Sequence, residues 1–408
     1  MTRTLAHLRG VTVRRGMHLV LQNKNFEIQQ HDIHLLVGSN GSGKSTLIES
    51  LVGLTMFEQG TLEHEGHLVA DGDGRRKKST LHVGLALQSN GVMGSETIAE
   101  HLDNATGMYG RSIDNSPFLE AFSLLHRKHD IVATLSAGQQ RKVAILSAIL
   151  PAFASQSSTI ILLDEPDAGL DEDSIQTLTS WLLALQYMGH GIVISSHQGV
   201  FQSIATHVHS LDEDTIQQNN TSNAPPHTEI PSAKDTKRIR PSGFGLRQQF
   251  RTMRWLSHNG LAAMMTLGVF MAILPIPIGI DSIEHLGFIL APALAIGLCG
   301  DGLVVMLREE RSLSWWKATS YRTPHSSWLP FLLGAVVTFL SNSILAGIEQ
   351  TTAELVGVGA LLAGFIAHLM RLVQLQVEQL ARPHAVFIGL LTPVLILPFA
   401  LLLDVLTT

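Results

Sequence analysis

Nine consecutive residues near the N-terminus combine glycines, hydroxyl groups and one lysine: Gly38, Ser39, Asn40, Gly41, Ser42, Gly43, Lys44, Ser45 and Thr46. They satisfy the pattern G-x-x-x-x-G-K-[ST]. Glycines let successive backbone N–H groups turn towards phosphate oxygens without Cβ clashes. Lys44 supplies a mobile charge for the terminal phosphates, and the Ser45 hydroxyl can ligate Mg²⁺. The pattern therefore predicts a site for a nucleotide phosphate group.

A pair of carboxylates follows an apolar run further along the chain. Residues 159–163 read TIILL, and Asp164 and Glu165 come directly after them. A buried parallel strand would place both acids at its carboxyl end, where ligands bind in open α/β sheets. We expect Asp164 to hold Mg²⁺ through water and Glu165 to polarise an attacking water. A solvated turn is the alternative, and the four apolar residues before the pair argue against it.

A serine–glycine turn lies between these two motifs. Ser136, Gly138 and Gln139 stand in the sequence LSAGQQ, which precedes an apolar helical pattern over 142–150. Alone, such a turn predicts only a helix start, because serine is a good N-cap. A helix N-terminus is also an anion site. With the other two motifs on either side, we interpret the turn as a second nucleotide-binding element.

The elements that position these residues alternate between short apolar strands and longer helical patterns from residue 1 to about residue 211. An apolar run over 35–37 precedes the glycine-rich loop, and a helical pattern over 45–51 follows it. This alternation predicts an α/β domain over 1–211 with a parallel sheet, and the glycine-rich motif identifies it as a P-loop NTPase domain. Residues 212–242 are polar and proline-containing, so we predict a flexible linker there.

The remaining residues, 243–408, contain apolar segments of membrane length. Five nearly uncharged segments, each near the roughly 20 residues that cross a bilayer, are predicted as spans: 255–280, 286–307, 323–348, 355–370 and 383–403. We therefore predict an all-α transmembrane, permease-like domain. The fourth span is the least regular because Arg371 shortens it. Inside the predicted spans, Asp301 reads as an acid near the interface or a coupling group, and His368 is a candidate for substrate contact.

Charge predicts the orientation of these spans. Arginine and lysine residues lie before the first span, between spans two and three, and between spans four and five. The other two loops contain acids and no arginine or lysine. The positive-inside rule then places the N-terminal domain in the cytoplasm and the C-terminus outside. The N-terminus lacks the apolar segment of a signal peptide, which agrees with this orientation.

Composition limits the other classes of function. Charged residues make up 15% of the chain, against about 25% in ordinary soluble proteins. A net charge of −6 gives no support for nucleic-acid binding, and Cys299 is the single cysteine, which excludes an internal disulfide. Three histidine pairs have a three-residue spacing but no third ligand along the sequence, so we interpret them as structural or solvated: His31/His34, His64/His67 and His126/His129.

The three motifs together resemble those of the ATP-binding cassette (ABC) transporters. In this resemblance residues 38–46 are the Walker A loop, LSAGQ is the signature and Asp164–Glu165 end the Walker B strand. The resemblance extends to a Q-loop glutamine at Gln88, a D-loop at Asp171 and a switch histidine at His197. It implies ATP and Mg²⁺ as cofactors, with Ser45, Gln88 and Asp164 around the metal. It also implies that Glu165, Gln88 and His197 act in hydrolysis.

Within that family the sequence of the motifs is similar to that of the ATPase subunit of the haem exporter used in cytochrome c maturation. Ala137 stands in the signature where many members have glycine, and Arg14 and Arg15 stand where an aromatic residue usually stacks on adenine. The segment 308–320, with its paired Trp315 and Trp316, resembles the short cytoplasmic helix with which exporter permeases contact their ATPase. An interfacial aromatic belt is the alternative for the two tryptophans.

The resemblance implies a half-transporter in a bacterial inner membrane. Two ATP molecules would lie between residues 38–46 of one protomer and residues 136–139 of the other. The partner would be a second copy, another half-transporter or a separate permease subunit, in contact with membrane lipid and with haem or a haem chaperone. Three functions stay open: haem export in cytochrome c biogenesis, export of a lipid, polymer or drug, and a mechanotransmitting ATPase without a translocated substrate.

Overall fold

The computed structural model describes residues 3–77, 79–89, 91–107, 109–196, 199–219, 237–238, 284–298, 300–301, 304, 313–319, 328–345, 348 and 351–376. The chain divides into two compact units. The first unit comprises Met1–Gly243 together with Glu310–Thr323, and the second comprises Phe244–Glu309 together with Pro324–Thr408. Each unit is described by itself below.

The described residues of the first unit form twelve strands: β1 Thr4–Arg15, β2 His18–Gln29, β3 Ile33–Val37, β4 Gln59–His64, β5 His67–Asp71, β6 Val83–Ala86, β7 Arg111–Ser112, β8 Ile160–Asp164, β9 Gly191–Ser195, β10 His207–Ser210, β11 Thr215–Gln218 and β12 Lys237–Arg238. Six of them form one sheet in the order β11-β10-β3-β9-β8-β6, in which every pair is parallel except β10 with β11. The antiparallel sheet has the order β2-β1-β4-β5, and β7 pairs with β12.

Helices cover the sheet and bury three of its parallel strands completely. All residues of β6, β8 and β9 are buried, as expected of parallel strands rich in isoleucine, leucine and valine. The helices of this unit are α1 Lys44–Leu51, α2 Ile98–Gly107, α3 Ser116–Ala121, α4 Ala137–Ala154 and α5 Glu172–Tyr187. Helices α4 and α5 contribute most of the side chains that join the sheet in the main hydrophobic core.

The end of this unit differs from the predicted boundary at residue 211. Strand β11 lies inside the segment predicted as a flexible linker, where it pairs antiparallel with β10. Its residues are all exposed, so its polar sequence is compatible with an edge strand and gave no apolar signal. Residues 220–236 and 239–283 lie outside the described residues.

One further helix of the first unit, α7 in chain order, covers Leu313–Thr319. It lies within the segment 308–320 that the sequence predicts to be a contact helix. Trp315 and Trp316 on this helix are buried, and their rings meet edge to face at 5.3 Å between centroids. An interfacial aromatic belt would leave both rings at a lipid surface, so their burial favours the contact-helix interpretation.

The second unit is helical in its described part. Its helices are α6 Glu284–Leu298, α8 Leu329–Leu345 and α9 Ala353–Gln376. Small residues bring them close together, since a Cβ on Gly297 would lie 2.8 Å from the Cβ of Ile366. Close approach through glycine is typical of helix pairs in membranes.

One helix among the described residues is long and apolar enough to cross a membrane, over Ala353–Leu375, and Ile289–Leu298 and Leu329–Ile344 are shorter apolar helices. These three correspond to the predicted second, third and fourth spans. The predicted spans over 255–280 and 383–403 lie outside the described residues. The prediction of five spans therefore stays a prediction.

The fourth predicted span is longer than the sequence suggested. Arg371 was expected to end it, but α9 continues to Gln376. The arginine remains inside the helix because its guanidinium pairs with the Asp301 carboxylate. Gln374 accepts a hydrogen bond from the Asp301 backbone N–H at 3.0 Å. This ion pair offsets the free-energy cost of an ionised group in an apolar helix. The sequence of the helix alone could not indicate the pair, because Asp301 lies on another segment.

Candidate functional site

The predicted site residues meet at one edge of the parallel sheet. The glycine-rich loop follows β3, and the two acids Asp164 and Glu165 lie at the end of β8. Strand β9 lies between these two strands and pairs Ser195 with Asp164. Because all three strands are parallel, their carboxyl ends open at the same edge, as expected for ligand binding in such sheets.

The loop between β3 and α1 forms a cradle that only glycine permits. Gly38, Gly41 and Gly43 have φ values of 153°, 87° and 100°. A Cβ on Gly38 would lie 2.7 Å from the Ser42 Oγ. Helix α1 begins at Lys44, so the amides of its first turn have no acceptor within the helix and face the loop. The loop thus concentrates N–H groups where an anion would bind.

Polar atoms inside the cradle fit a phosphate group. The Lys44 ammonium donates to the carbonyl oxygens of Gly38 at 2.8 Å and Ser39 at 3.0 Å, which holds its charge at the mouth of the loop. The Ser42 Oγ is buried and has no hydrogen-bond partner in the part of the chain that the structure describes. A phosphate oxygen would give these donors an acceptor. The residues present therefore fit the terminal phosphates of a nucleotide.

Asp212 is a residue near this loop that the sequence analysis did not identify. Its carboxylate accepts from the backbone N–H of Ser39 at 2.7 Å and from the Ser39 Oγ at 2.8 Å. These hydrogen bonds lower the pKa of Asp212. The contact fixes the first turn of the loop to the chain that follows β10. No sequence signal was available, because the two residues lie far apart in the chain.

The acidic pair is held by a buried serine on β9. The Ser195 Oγ donates to Asp164 Oδ1 at 2.6 Å and accepts from the Glu165 backbone N–H at 2.9 Å. The Asp164 side chain is buried, while Glu165 is only partly covered. The two acids are thereby separated into an inner group suited to hold a cation and an outer group open to water.

Glu165 has an unusual backbone. Its φ is 55°, in the left-handed region that side chains other than glycine, asparagine and aspartate rarely occupy. Its Oε2 accepts from the Gln88 Nε2 at 3.2 Å. The structure therefore brings together two of the three residues to which the sequence assigns hydrolysis. The third, His197, lies outside the described residues.

Arg141 supports both sides of this site and was not singled out in the sequence. Its buried guanidinium donates to the Leu87 carbonyl at 2.6 Å, next to Gln88, and to the Asp164 carbonyl. Burial lowers the pKa of this guanidinium, and the charges of Asp164, Glu165 and Asp167 oppose that effect. An arginine four residues after a helix start carries no pattern that would reveal these backbone contacts.

The serine–glycine turn has the predicted capping geometry. Ser136 is the N-cap of α4, where its Oγ accepts from the Gln139 N–H at 3.3 Å and its own N–H donates to the Gln139 side chain at 3.1 Å. A Cβ on Gly138 would lie 2.7 Å from the carbonyl oxygen of Gly169. The turn is therefore tied to the segment that precedes Asp171.

Asp171 begins the next helix. It caps α5 by accepting from the Ser174 N–H at 2.8 Å, and it pairs with Lys142 at 2.7 Å. The Lys142 hydrogen bond is the main cause of the lowered pKa of Asp171. Within one chain these contacts are structural, and the predicted role of Asp171 at the nucleotide stays a prediction.

The two arginines at the expected base-stacking position form ion pairs. Arg14 pairs with Glu58 at 3.0 Å, and Arg15 pairs with Glu49 at the end of α1. Both guanidinium groups are exposed. They lie at the end of β1, the position at which the resemblance to ABC proteins leads us to expect an aromatic side chain.

Helix α7 contacts the segment that follows Gln88. A Cβ on Gly91 would lie 3.1 Å from the Trp315 Cβ, and Gly91 has a φ of 66° that also favours glycine. The Trp315 ring lies 5.6 Å from the His101 ring. The buried tryptophan is thus seated between the Gln88 segment and α2.

Comparisons with known proteins match the N-terminal part of the chain. The ABC transporter family model matches residues 21–168. The chain is 30% identical over 193 residues to the cytochrome c biogenesis ATP-binding export protein CcmA of Nitrosococcus oceani, a match that covers 47% of this chain and 85% of the relative. It is 28% identical over 225 residues to the glutamate/aspartate import ATP-binding protein GltL of Escherichia coli, covering 53% and 91% of the two chains.

Two further similarities are to a sugar-transport relative and to a solved structure. The L-arabinose transport ATP-binding protein AraG of Geobacillus stearothermophilus is 28% identical over 214 residues, which cover 48% of this chain and 39% of the relative. Among solved structures, the dimeric ABC transporter cassette MJ0796 is 20% identical with a TM-score of 0.45, covering 52% of this chain and 98% of the other.

Proposed function

The chain belongs to the ABC transporter family through its N-terminal ATPase domain, and we propose that it is one half of a membrane transporter that couples ATP hydrolysis to movement of its own helical second unit. ATP hydrolysis is the activity of the first unit, with ATP and Mg²⁺ as its cofactors. The observation that carries the proposal is the phosphate cradle of residues 38–46 beside the acidic pair on β8.

In this proposal the site residues divide the chemistry between them. The loop amides and Lys44 bind the β- and γ-phosphates, while Ser45, Gln88 and Asp164 hold the metal. Bound Mg²⁺ supplies charge neutralisation on the phosphate oxygens. Glu165 orients the attacking water and accepts its proton. The work is mostly positioning and charge stabilisation.

The dimer is the second part of the proposal. Cassettes of this family function as dimers. Ser136, Gly138, Gln139 and Asp171 of one protomer would then complete the nucleotide site of the other, which gives these capping residues a role beyond their own helices. The partner is a second copy of this chain or another half-transporter or permease subunit.

The membrane location is supported by what the second unit leaves exposed. Large apolar side chains cover the outer faces of α8 and α9: Phe331, Leu332, Val336, Phe339, Leu340, Leu361, Phe365 and Leu369. Exposed apolar surface of this extent marks a membrane or protein interface. Together with the five predicted spans, this supports a multi-pass protein of the bacterial inner membrane with the ATPase on the cytoplasmic side. His368 lies on the exposed part of α9, where it faces lipid or a partner.

The substrate that we propose to test first is haem, in cytochrome c biogenesis. Its support is the signature with Ala137, the arginines in place of a stacking aromatic, and the similarity to CcmA. Relatives named for arabinose and glutamate transport are nearly as similar, so the ATPase alone does not select the substrate. Helix α7 seated against the Gln88 segment would carry the signal from membrane to ATPase.

The experiment measures ATP hydrolysis by the full chain in lipid nanodiscs, with and without haem, for the wild type, Trp315→Ala and Trp328→Ala. Trp328 is a matched control, since its side chain is partly exposed and lies in the second unit. We expect haem to raise turnover several-fold in the wild type and in Trp328→Ala. In Trp315→Ala the basal rate should persist and the stimulation should disappear.

The other outcomes are equally informative. Stimulation by arabinose or glutamate but not by haem would overturn the haem assignment and keep the transporter. Stimulation by a separate protein alone would favour a mechanotransmitting ATPase. Haem stimulation that persists in Trp315→Ala would exclude α7 as the coupling element.

A further inference from the structure

Four polar side chains cluster on one face of the β3–β10 strand pair, away from the nucleotide site. Asp32 precedes β3, and His34 follows two residues later, so both side chains point to the same face. The parallel register places His207 directly beside His34. His209, two residues further along β10, lies on the same face.

Three of these side chains are close enough to share one ion. One ligand atom from each of Asp32, His34 and His207 lies within 4.8 Å of the other two. The His34 Nε2 is 3.3 Å from the Asp32 Oδ2, and the His34 and His207 rings stack with centroids 4.7 Å apart. Tetrahedral zinc with bonds of about 2.1 Å places its ligand atoms about 3.4 Å apart, so side-chain rotations that move these atoms by about 1.4 Å or less would close the site.

The fourth side chain has the place of a supporting partner. The His34 Nδ1 lies 2.9 Å from the His209 Nε2. At this distance the His34 Nδ1–H can donate to the His209 Nε2 when the His209 ring carries its proton on Nδ1. A metal-binding histidine almost always donates its second ring N–H to such an acceptor, which fixes the ring and the tautomer.

The surroundings suit a cation that enters from solvent. His34 and His209 are buried against the Phe26 ring, at centroid distances of 5.0 and 4.8 Å, whereas Asp32 and His207 are partly exposed. The charge of Lys24 reaches His209, but the Lys24 ammonium pairs with Asp214. One side of the site is therefore buried, and the other side is open to solvent.

A purely structural cluster is the alternative. The neighbouring groups already account for several of its polar atoms: Asp32 accepts from the Gln29 N–H at 3.0 Å, and His207 contacts Thr206 at 2.9 Å. The ligand atoms of Asp32, His34 and His207 nevertheless lie within 4.8 Å of one another, a spacing that a single ion could bridge after small side-chain rotations.

We propose that Asp32, His34 and His207 bind a divalent transition-metal ion of the zinc class, with His209 as a positioning residue. One carboxylate and two imidazoles are ligands that zinc accepts, and three protein ligands leave one position for water. The ion links β3 to β10. Strand β3 leads into the phosphate loop, and Asp212 after β10 contacts Ser39 of that loop, so the ion stabilises the frame of the nucleotide site.

The test measures zinc binding to the full, untagged chain in nanodiscs, without nucleotide and with excess Mg²⁺ to occupy the hydroxyl and carboxylate sites. Cobalt is the spectroscopic probe, because its visible bands distinguish nitrogen-containing tetrahedral coordination from hydrated ions. We expect one zinc ion per chain and a higher thermal midpoint when it is bound. His67→Gln, which changes an exposed histidine on β5, serves as the control.

The variants separate the ligands from the support. His207→Gln and Asp32→Asn should each weaken zinc binding at least tenfold and remove the cobalt bands, while His67→Gln should bind like the wild type. His209→Leu should weaken binding 10–100-fold and keep the cobalt bands at high metal concentration. Absence of binding to the wild type, or unchanged binding by His207→Gln and Asp32→Asn in chains with wild-type circular dichroism, would overturn the proposal.

Discussion

At the scale of single residues, Glu165 combines its proposed role in hydrolysis with backbone strain. Its φ of 55° lies in the left-handed region, and its carboxylate lies beyond the end of β8 beside Gln88. An extended backbone at this residue would direct the side chain away from Gln88. Such strain persists at functional sites because the surrounding contacts enforce it. Here Ser195 and Arg141 supply those contacts on either side.

The strain predicts a trade between stability and turnover at this position. Asparagine tolerates the left-handed region better than glutamate or glutamine. Glu165→Asn should therefore raise the free energy of unfolding of the first unit by about 0.5–1 kcal/mol, whereas Glu165→Gln should leave it unchanged. Both variants should lose hydrolysis. Calorimetry of the two variants measures the difference, and equal stabilities would show that the backbone at 165 is not strained.

A second residue predicts the response of the first unit to acid. Burial, assisted by the charge of His31, lowers the pKa of His190 to about 4 from an unfolded value of 6.5. The neutral ring is therefore compatible with the fold, and its contribution to stability is present above pH 6.5. It is lost as pH falls towards 4, because the unfolded chain binds a proton that the folded chain rejects.

His190→Asn removes this linkage. The wild type should lose about 3 kcal/mol more than the variant between pH 6.5 and pH 4. The thermal midpoint as a function of pH gives the comparison, with His18→Asn at an exposed position as control. Parallel pH curves for wild type and His190→Asn would contradict the prediction.

Residues whose roles depend on local sequence were predictable, and those defined by distant contacts were not. The loop from Gly38 to Thr46 carries its chemistry in its spacing, and the acids after β8 follow an apolar run. Arg141 and Asp212 act on backbone or loop atoms brought near only by folding. Along the sequence the histidine pairs lack a third ligand, whereas folding brings His207 beside His34.

At the scale of elements, close packing of small residues decides how the helices of the second unit meet. A Cβ on Gly359 of α9 would lie 1.9 Å from the Thr338 Oγ1 of α8. Two residues earlier on the same helix, a Cβ on Gly357 would meet nothing within 4 Å. The two glycines thus provide an internal comparison.

Gly359→Ala should lower the thermal stability of the chain in nanodiscs, at a cost of about 1–3 kcal/mol, because one helix must move. Gly357→Ala should be neutral or stabilising by up to about 1 kcal/mol, because alanine is the better helix former. Thermal unfolding followed by circular dichroism measures both. Similar losses in the two variants would mean that α8 and α9 do not pack through this contact.

The elements also show where sequence patterns succeed and fail. Apolar runs predicted β3 and β8, and serine at position 136 predicted the start of α4. Strand β11 was missed because an exposed edge strand needs no apolar residues. The end of α9 was misplaced because the partner of Arg371 lies on another segment.

At the scale of the whole molecule, the chain forms two compact units. One short segment from the second half of the chain belongs to the first unit. Helix α7 lies in that segment, Glu310–Thr323, and its buried Trp315 contacts the residues after Gln88. A segment between two apolar helices that is seated on the ATPase is the physical basis of the proposed coupling. The sequence predicted such a helix from its charges and paired tryptophans, whereas its seat on Gly91 required the structure.

The central claim is that the first unit is a working ATPase within the full chain. The most direct test is the rate of ATP hydrolysis by the full chain in lipid nanodiscs, for wild type, Glu165→Gln and Lys44→Ala. The account predicts Mg²⁺-dependent turnover in the wild type and rates at least about 100-fold lower in Glu165→Gln, since a general base contributes that much or more. Lys44→Ala should lose turnover through weaker ATP binding. Equal rates in the wild type and both variants would contradict the account.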